Sequence, residues 1–240
     1  MSILLDTFMQ RLRSMISRHS LENEEVSVFA RPLSPEEAIG NPAHDDYPLL
    51  KGKERMMQAV FQDTYGQAYS DQTGNFSGSL SQIVGLTMDS NFHRALVVST
   101  ANAVLRKLGV ISKSCHCRDE DPITCASRLF DSLLPYSPRR IGMIGMQPRL
   151  LEALARDFEV RVCDRDPDKI GTVHAGVLVE DSDAHKEIKG WADLLFATGT
   201  TLVNDTIDLY VGEVPVVFFG VTISGAARVL NLNHFCPLAR

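Results

Sequence analysis

The chain has 240 residues, 44% of them hydrophobic and 22% charged, and 24 Lys+Arg against 30 Asp+Glu leave a net charge of −6. That composition excludes disorder, and the length suits one large domain or two small ones. No dense basic cluster offers a nucleic-acid face, and apolar runs such as Val214 to Gly220 are far too short to cross a bilayer. The expectation is a cytoplasmic protein, with neither nucleic acid nor membrane as its partner. Whether it forms a homodimer is left open.

Leu5, Phe8, Met9, Leu12, Met15 and Ile16 recur at helical spacing, which predicts an amphipathic helix within residues 1–20. Val26 to Ala30 reads as a strand, and prolines and Gly40 mark Arg31 to Pro48 as loop. Met56 to Phe61 and Gly66 to Ser70 read as two strands joined at Asp63-Thr64-Tyr65. A glycine-punctuated passage follows. Ser90 then caps a helix carrying Leu96, Ala101, Val104, Leu105 and Leu108, which stops at Gly109. Residues 1–111 therefore read as a smaller α+β domain.

From 112 to 240 the pattern changes. Beyond a polar, cysteine-rich linker, Ile123 to Leu134 is helical and Arg140 to Gly145 is a strand. Pro148 opens a helix. Glu159 to Cys163, Asp193 to Ala197 and Val214 to Phe219 are strands. Asn204 to Val211 and Ser224 to Leu230 are helices. Alternation of this kind predicts an α/β unit, a Rossmann-like doubly wound parallel sheet.

In such sheets ligands bind beyond the carboxyl ends of the strands. The loops there hold Gly145 and Gln147, then Asp164, then Thr198, Gly199, Thr200, Thr201 and Asn204, then Thr222, Ser224 and Gly225. Glycine and hydroxyl residues before helix N-termini suit an anionic group, and they also serve as ordinary caps and turns. Gly142-Met-Ile-Gly145 is not a dinucleotide fingerprint, because Gln147-Pro148 interrupts the required turn. Asp164 does stand where an acid would hold a ribose. This half-match weighs against a nucleotide-type cofactor without excluding it. There is no GxSxG, HExxH or Walker loop. Asp45-Asp46 and Asp181-Ser-Asp183 read as solvated acids.

Five cysteines are an odd count for a disulfide framework. Cys115-His116-Cys117 with Cys125, and His234-Phe235-Cys236, offer soft ligands for zinc, nickel, copper or iron. Small buried cysteines are the competing reading.

Tyr47-Pro-Leu-Leu-Lys-Gly-Lys-Glu54, Gly66-Gln-Ala68, Thr100-Ala-Asn-Ala-Val-Leu-Arg106, His116-Cys117 with Cys125, Thr198-Gly-Thr-Thr-Leu-Val-Asn204 with Thr206, and Gly220-Val-Thr-Ile-Ser-Gly225 followed by Phe235-Cys-Pro237 resemble an uncharacterised heavy-metal chelation family. The resemblance implies an enolase N-terminal-like domain followed by a Rossmann-like domain, with a ligand cleft between them. It also implies that His116, Cys117, Cys125 and Cys236 are the metal residues. The sequence thus points to a soft transition metal, or a small anionic metal-chelating ligand, in that cleft. The alternative is an enzyme acting there on a nucleoside-type substrate, S-adenosylmethionine included, or on a small anion.

Overall fold

The computed structural model describes residues 1–21, 28–41, 44 and 54–240, with backbone alone at 28–30. Val26 and Ser27 of the first expected strand, the Asp45-Asp46 pair and residues 47–53 lie outside the described residues.

The first helix spans Ile3–Arg18, and the Ser2 hydroxyl accepts the Leu5 N–H as its cap. Leu5, Phe8, Met9, Leu12 and Ile16 are buried. Their stripe packs on the helix Ser224–Leu230 and the turn Ile207–Leu209, at the other end of the sequence. Burying each large side chain contributes about 1.5–3 kcal/mol. The helix start is also tied there: Ser2 donates its N–H to Asp205 at 2.6 Å, and Ile3 and Leu4 donate theirs to Asp208 at 2.6 and 3.1 Å. These carboxylates satisfy N–H groups that a helix leaves open at its first turn.

A four-stranded antiparallel sheet has the order β3-β2-β1-β4, from β1 (Val28–Leu33), β2 (Arg55–Phe61), β3 (Thr64–Ser70) and β4 (Phe76–Gly78). β1 runs beyond the expected strand, through Pro32. β4 pairs only with Val28, Phe29 and Ala30, so beyond Ala30 the strand has one neighbour and can accommodate a proline. The β2–β3 turn is also tighter than expected, with Phe61 opposite Thr64. Short helices at Pro35–Ile39 and Leu80–Val84 occupy segments expected as loop. Both are fixed by capping boxes, Ser34 with Glu37 and Ser79 with Gln82.

The helix Asn91–Lys107 is buried on nearly every side from Arg94 to Leu105. One side lies against β2 and β3, and another against the helices Thr200–Val203 and Ser224–Leu230. Such burial explains its lack of a polar stripe. Contact with β3 requires Gly66, where a Cβ would lie 2.2 Å from both the Ala103 nitrogen and the Ser99 carbonyl oxygen.

The second sheet has seven strands in the order β11-β10-β9-β5-β6-β8-β7. Its members are β5 (Arg140–Ile144), β6 (Glu159–Asp164), β7 (Val173–His174), β8 (Val177–Asp181), β9 (Leu194–Thr198), β10 (Val216–Phe219) and β11 (Asn233–Phe235). All neighbours are parallel except the β7–β8 hairpin. β6 lies on one side of β5 and β9 on the other, so the strand order reverses at β5. The fold is a Rossmann-like α/β fold with a smaller antiparallel sheet. β7, β8 and β11 were not expected: β7 and β11 are short, and β8 carries acids.

The expected helix Asn204–Val211 is corrected. Helix forms earlier, at Thr200–Val203, and the chain turns at Asp205, where φ is +58°, before a 3-10 turn at Ile207–Leu209. Asp205 is spent on the N-terminal helix, and this fixes the turn. Among the described residues no helix is long and apolar enough to cross a membrane.

Candidate functional site

Reversal at β5 leaves a crevice beyond its carboxyl end. Ile144 pairs with Ala197, so the next residues, Gly145 and Thr198, stand side by side. Gly145 has φ +83°, and a Cβ there would come 2.6 Å from the Thr198 methyl. A cavity of about 350 Å³ opens beyond this point. Its walls come from the ends of β5, β6, β9 and β10, from Tyr69 and Ser70 at the end of β3, and from Ile39.

Of the predicted binding residues, Gly145, Gln147, Asp164, Thr198, Thr200, Thr201, Asn204 and Thr222 line the cavity. Several are already engaged. Gln147 caps the next helix by accepting the Leu150 N–H at 2.6 Å. The Thr198 and Thr200 hydroxyls lie 3.1 Å apart, and the Thr201 hydroxyl donates to the Thr198 carbonyl at 2.8 Å. The Thr222 hydroxyl accepts the Tyr69 N–H at 3.0 Å. Asp164 accepts the Met146 N–H at 2.7 Å and the Asp166 N–H at 2.9 Å, with Lys169 at 3.4 Å. Its carboxylate thus holds two loops together.

Gly199, Ser224 and Gly225 do not line the cavity. A Cβ on Gly199 would meet the Ile223 side chain at 2.9 Å. The Gly225 N–H is taken by the Asn102 side chain at 2.8 Å, and Ser224 is buried beside it. These residues serve packing between the layers, which their sequence context could not distinguish from ligand contact.

All four predicted metal residues line the same cavity. Gln67 positions the first two: its side-chain oxygen accepts the His116 N–H at 2.7 Å, and its backbone N–H donates to Ser114 at 2.9 Å. Cys125 stands on the helix Asp121–Ser127. Cys236 follows β11, and its tail is clasped by reciprocal backbone bonds between Cys115 and Arg240, both 2.8 Å. Arg240 also pairs with Asp121 at 2.9 Å. Cys163 lines the cavity too, whereas Cys115 does not; its thiol faces the Tyr65 carbonyl at 3.7 Å.

Burial pushes the Cys117, Cys125 and Cys236 thiols up to about 12, and each is raised further by another of the three. Burial likewise lowers His116. Tyr69 is raised well above its ordinary value by burial, then by Glu54, Cys117 and Cys236, so it stands between a thiol end and an acidic end. Its ring meets that of His116 edge-on at 5.6 Å. At the acidic end, burial lifts the Glu54 carboxyl to about 7; Asp164, Asp71 and Asp166 add to the rise and Lys169 opposes it. Glu54, Asp71, Asp119, Asp164 and Asp166 line the cavity against the cations Arg165 and Lys169. Sequence reasoning gave no site role to Glu54, although it ends one of the resemblance motifs, nor to Asp71, Lys169 and Tyr69, which no local motif marks.

The donor set is soft and its field is negative, which fits a thiophilic cation. Among the described residues, however, no three His, Cys, Asp or Glu side chains are already gathered to hold one.

Residues 128–233 match the family model described as "Putative heavy-metal chelation". His116, Cys117, Cys125 and Cys236 all fall outside the matched segment, so its description does not assign them. No curated protein matches the chain. A DUF364-family protein of unknown function from Pyrococcus horikoshii is similar in structure, with 14% identity, a TM-score of 0.56, and coverage of 92% of this chain and 80% of that one. A second such protein, from Desulfitobacterium hafniense, has 13% identity and a TM-score of 0.47 over 73% of this chain and 72% of that one. The Pyrococcus likeness is one of fold. Residues 128–233, in the Rossmann-like part, are thus similar to the family described by heavy-metal chelation.

Proposed function

We propose that this protein binds a soft transition-metal ion as cargo at the thiol end of the cavity, with Cys117, Cys125, Cys236 and His116 as donors. One observation carries the reading: among the described residues, four thiols, Cys163 included, and an imidazole share a cavity with five carboxylates and two formal cations. That excess of negative charge favours a cation over the small anionic ligand that the threonine-lined loops first suggested. Zinc, nickel, copper and iron are the candidate metals, and a reducing cytoplasm suits free thiols. On this reading residues 1–111, the enolase N-terminal-like unit, and 112–240 form the two walls. Asp164 is occupied by backbone N–H groups, which counts against the nucleoside-type alternative.

Protein purified without an affinity tag is analysed for metal, then titrated with Cd(II) while thiolate-to-metal charge transfer is followed. Uptake of about one equivalent is expected. Replacing Cys117 and Cys236 together by Ser abolishes it. Uptake unchanged by that double replacement overturns the assignment.

A further inference from the structure

A hydrogen-bonded chain reaches the acidic end of the cavity, on residues distinct from the thiols. It begins with Arg94, which is only 9% exposed. A guanidinium can donate but not accept. Arg94 donates from Nε to the Val203 carbonyl at 2.5 Å, from Nη1 to the Met88 carbonyl at 2.6 Å, and from Nη2 to the Asn91 Oδ1 at 2.6 Å. The last bond fixes the Asn91 amide with its oxygen toward Arg94 and its NH2 on the opposite side.

That NH2 group donates twice, to Asp71 Oδ1 at 2.6 Å and to Asn204 Oδ1 at 3.3 Å. The Asn204 amide is thereby fixed in turn. Its oxygen faces Asn91, and its own NH2 is left to donate elsewhere. Asp71 likewise keeps Oδ2 as an acceptor. Neither atom has a hydrogen-bond partner among the described residues, and both residues line the cavity. Because they share one nitrogen, they are neighbours. The chain Arg94–Asn91 therefore holds a carboxylate and a carboxamide about one shared nitrogen at the cavity wall, Asp71 exposed and Asn204 half-buried.

We propose that Asp71 and Asn204 read a cis-amide edge, a lactam N–H beside its C=O, on a small neutral heterocycle bound in the cavity. The ring N–H donates to Asp71 Oδ2 and the ring carbonyl accepts from Asn204 Nδ2. A carboxylate is repelled by Asp71. An ammonium group leaves the Asn204 donor unpaired. A lone hydroxyl can meet the two only in part. About 350 Å³ is of the order small-ligand sites require. Asn91 and Arg94 are positioning residues, since they act through the pair.

This inference goes beyond the metal reading and does not need it. Isothermal titration with hypoxanthine and uracil tests it, alongside counterparts methylated on the lactam nitrogen. Wild-type protein binds at least one parent ring, and methylation weakens that binding at least about tenfold, as expected for a lost bond to a charged acceptor. Asn204→Asp turns the donor into an acceptor, and Asp71→Asn removes the anionic acceptor. Each weakens binding by at least a similar factor, with circular dichroism and unfolding midpoints confirming the fold. Cys115→Ser, at a thiol outside the cavity, leaves binding unchanged and serves as the control. The proposal fails if neither ring binds, if the methylated rings bind as well as their parents, or if both Asp71→Asn and Asn204→Asp bind like wild type. It fails equally if Cys115→Ser weakens binding and Asp71→Asn does not.

Discussion

The side-chain oxygen of Asn102 accepts the backbone N–H of Gly225 at 2.8 Å, 123 residues further along the chain. Its NH2 group faces the carbonyls of Gln67, Val221 and Thr222 at 2.9, 3.3 and 3.2 Å. One fully buried amide thus joins β3, the helix Asn91–Lys107 and the loop after β10. An unsatisfied buried backbone group costs about 1–3 kcal/mol. Asn102→Ala is therefore expected to lose about 2–4 kcal/mol, since some of these groups relax toward other partners. Asn102→Asp loses more, because a carboxylate would face three carbonyl oxygens. Urea unfolding ranks the two variants; an Asp variant as stable as wild type would rule out the clamp.

Two glycines give opposite signs. At Gly66 a Cβ would collide with backbone atoms of Ser99 and Ala103, each at 2.2 Å. Neither can move without shifting the central helix, so Gly66→Ala is destabilising by about 3 kcal/mol. Gly190 lies in the helix His185–Trp191, and a Cβ there meets nothing within 4 Å. Gly190→Ala stabilises by about 0.5–1 kcal/mol through helix propensity. Thermal unfolding of the two single variants checks both signs.

The sequence made the alternating half of the fold legible because buried parallel strands are continuous apolar runs, as Leu194 to Ala197 and Val216 to Phe219 are. β8 and β11 were hidden by their acids and brevity. The cavity edge was readable from the topology rule, yet only in part. Thr198 and Thr200 look alike in the sequence whether they meet a ligand or each other. Ser224 and Gly225 follow a strand as the rule requires, but the partner that takes the Gly225 N–H, Asn102, is set by tertiary packing. The soft donors were legible from residue type alone. The acidic end was not, because Glu54 and Asp71 come from the antiparallel sheet and reach Asp164 only in the folded chain.

The raised thiols give a signed pH dependence. Cys117, Cys125, Cys163 and Cys236 rise from 9.0 to about 12 on folding, burial being the largest cause in each. Between those values the unfolded chain has released thiol protons that the folded chain retains. Stability is therefore expected to fall as pH rises from about 9 toward 12. Replacing Cys163, which is fully buried in β6, by Ala removes one contributor and flattens the slope. Urea midpoints measured across this range test it; a slope unaltered by the replacement would show that Cys163 does not titrate as described.

Glu54 is the last case, and its sign differs from that of a salt-bridged acid. Burial and the neighbouring carboxylates lift it from 4.5 to about 7. The unfolded chain loses this proton first, so the group costs stability progressively as pH rises from 4.5 through 7. Glu54→Gln keeps the shape and removes the charge. The variant is expected to come close to wild type at pH 4, below the unfolded value of 4.5, and to unfold at a higher temperature than wild type at pH 8. The same change removes one negative charge from the cavity and weakens Cd(II) uptake at pH 8. Unfolding midpoints and metal titrations at the two pH values measure both effects. A variant destabilised equally at both would mean that the carboxylate is a structural acceptor, not a charge held at a cost to face a cation.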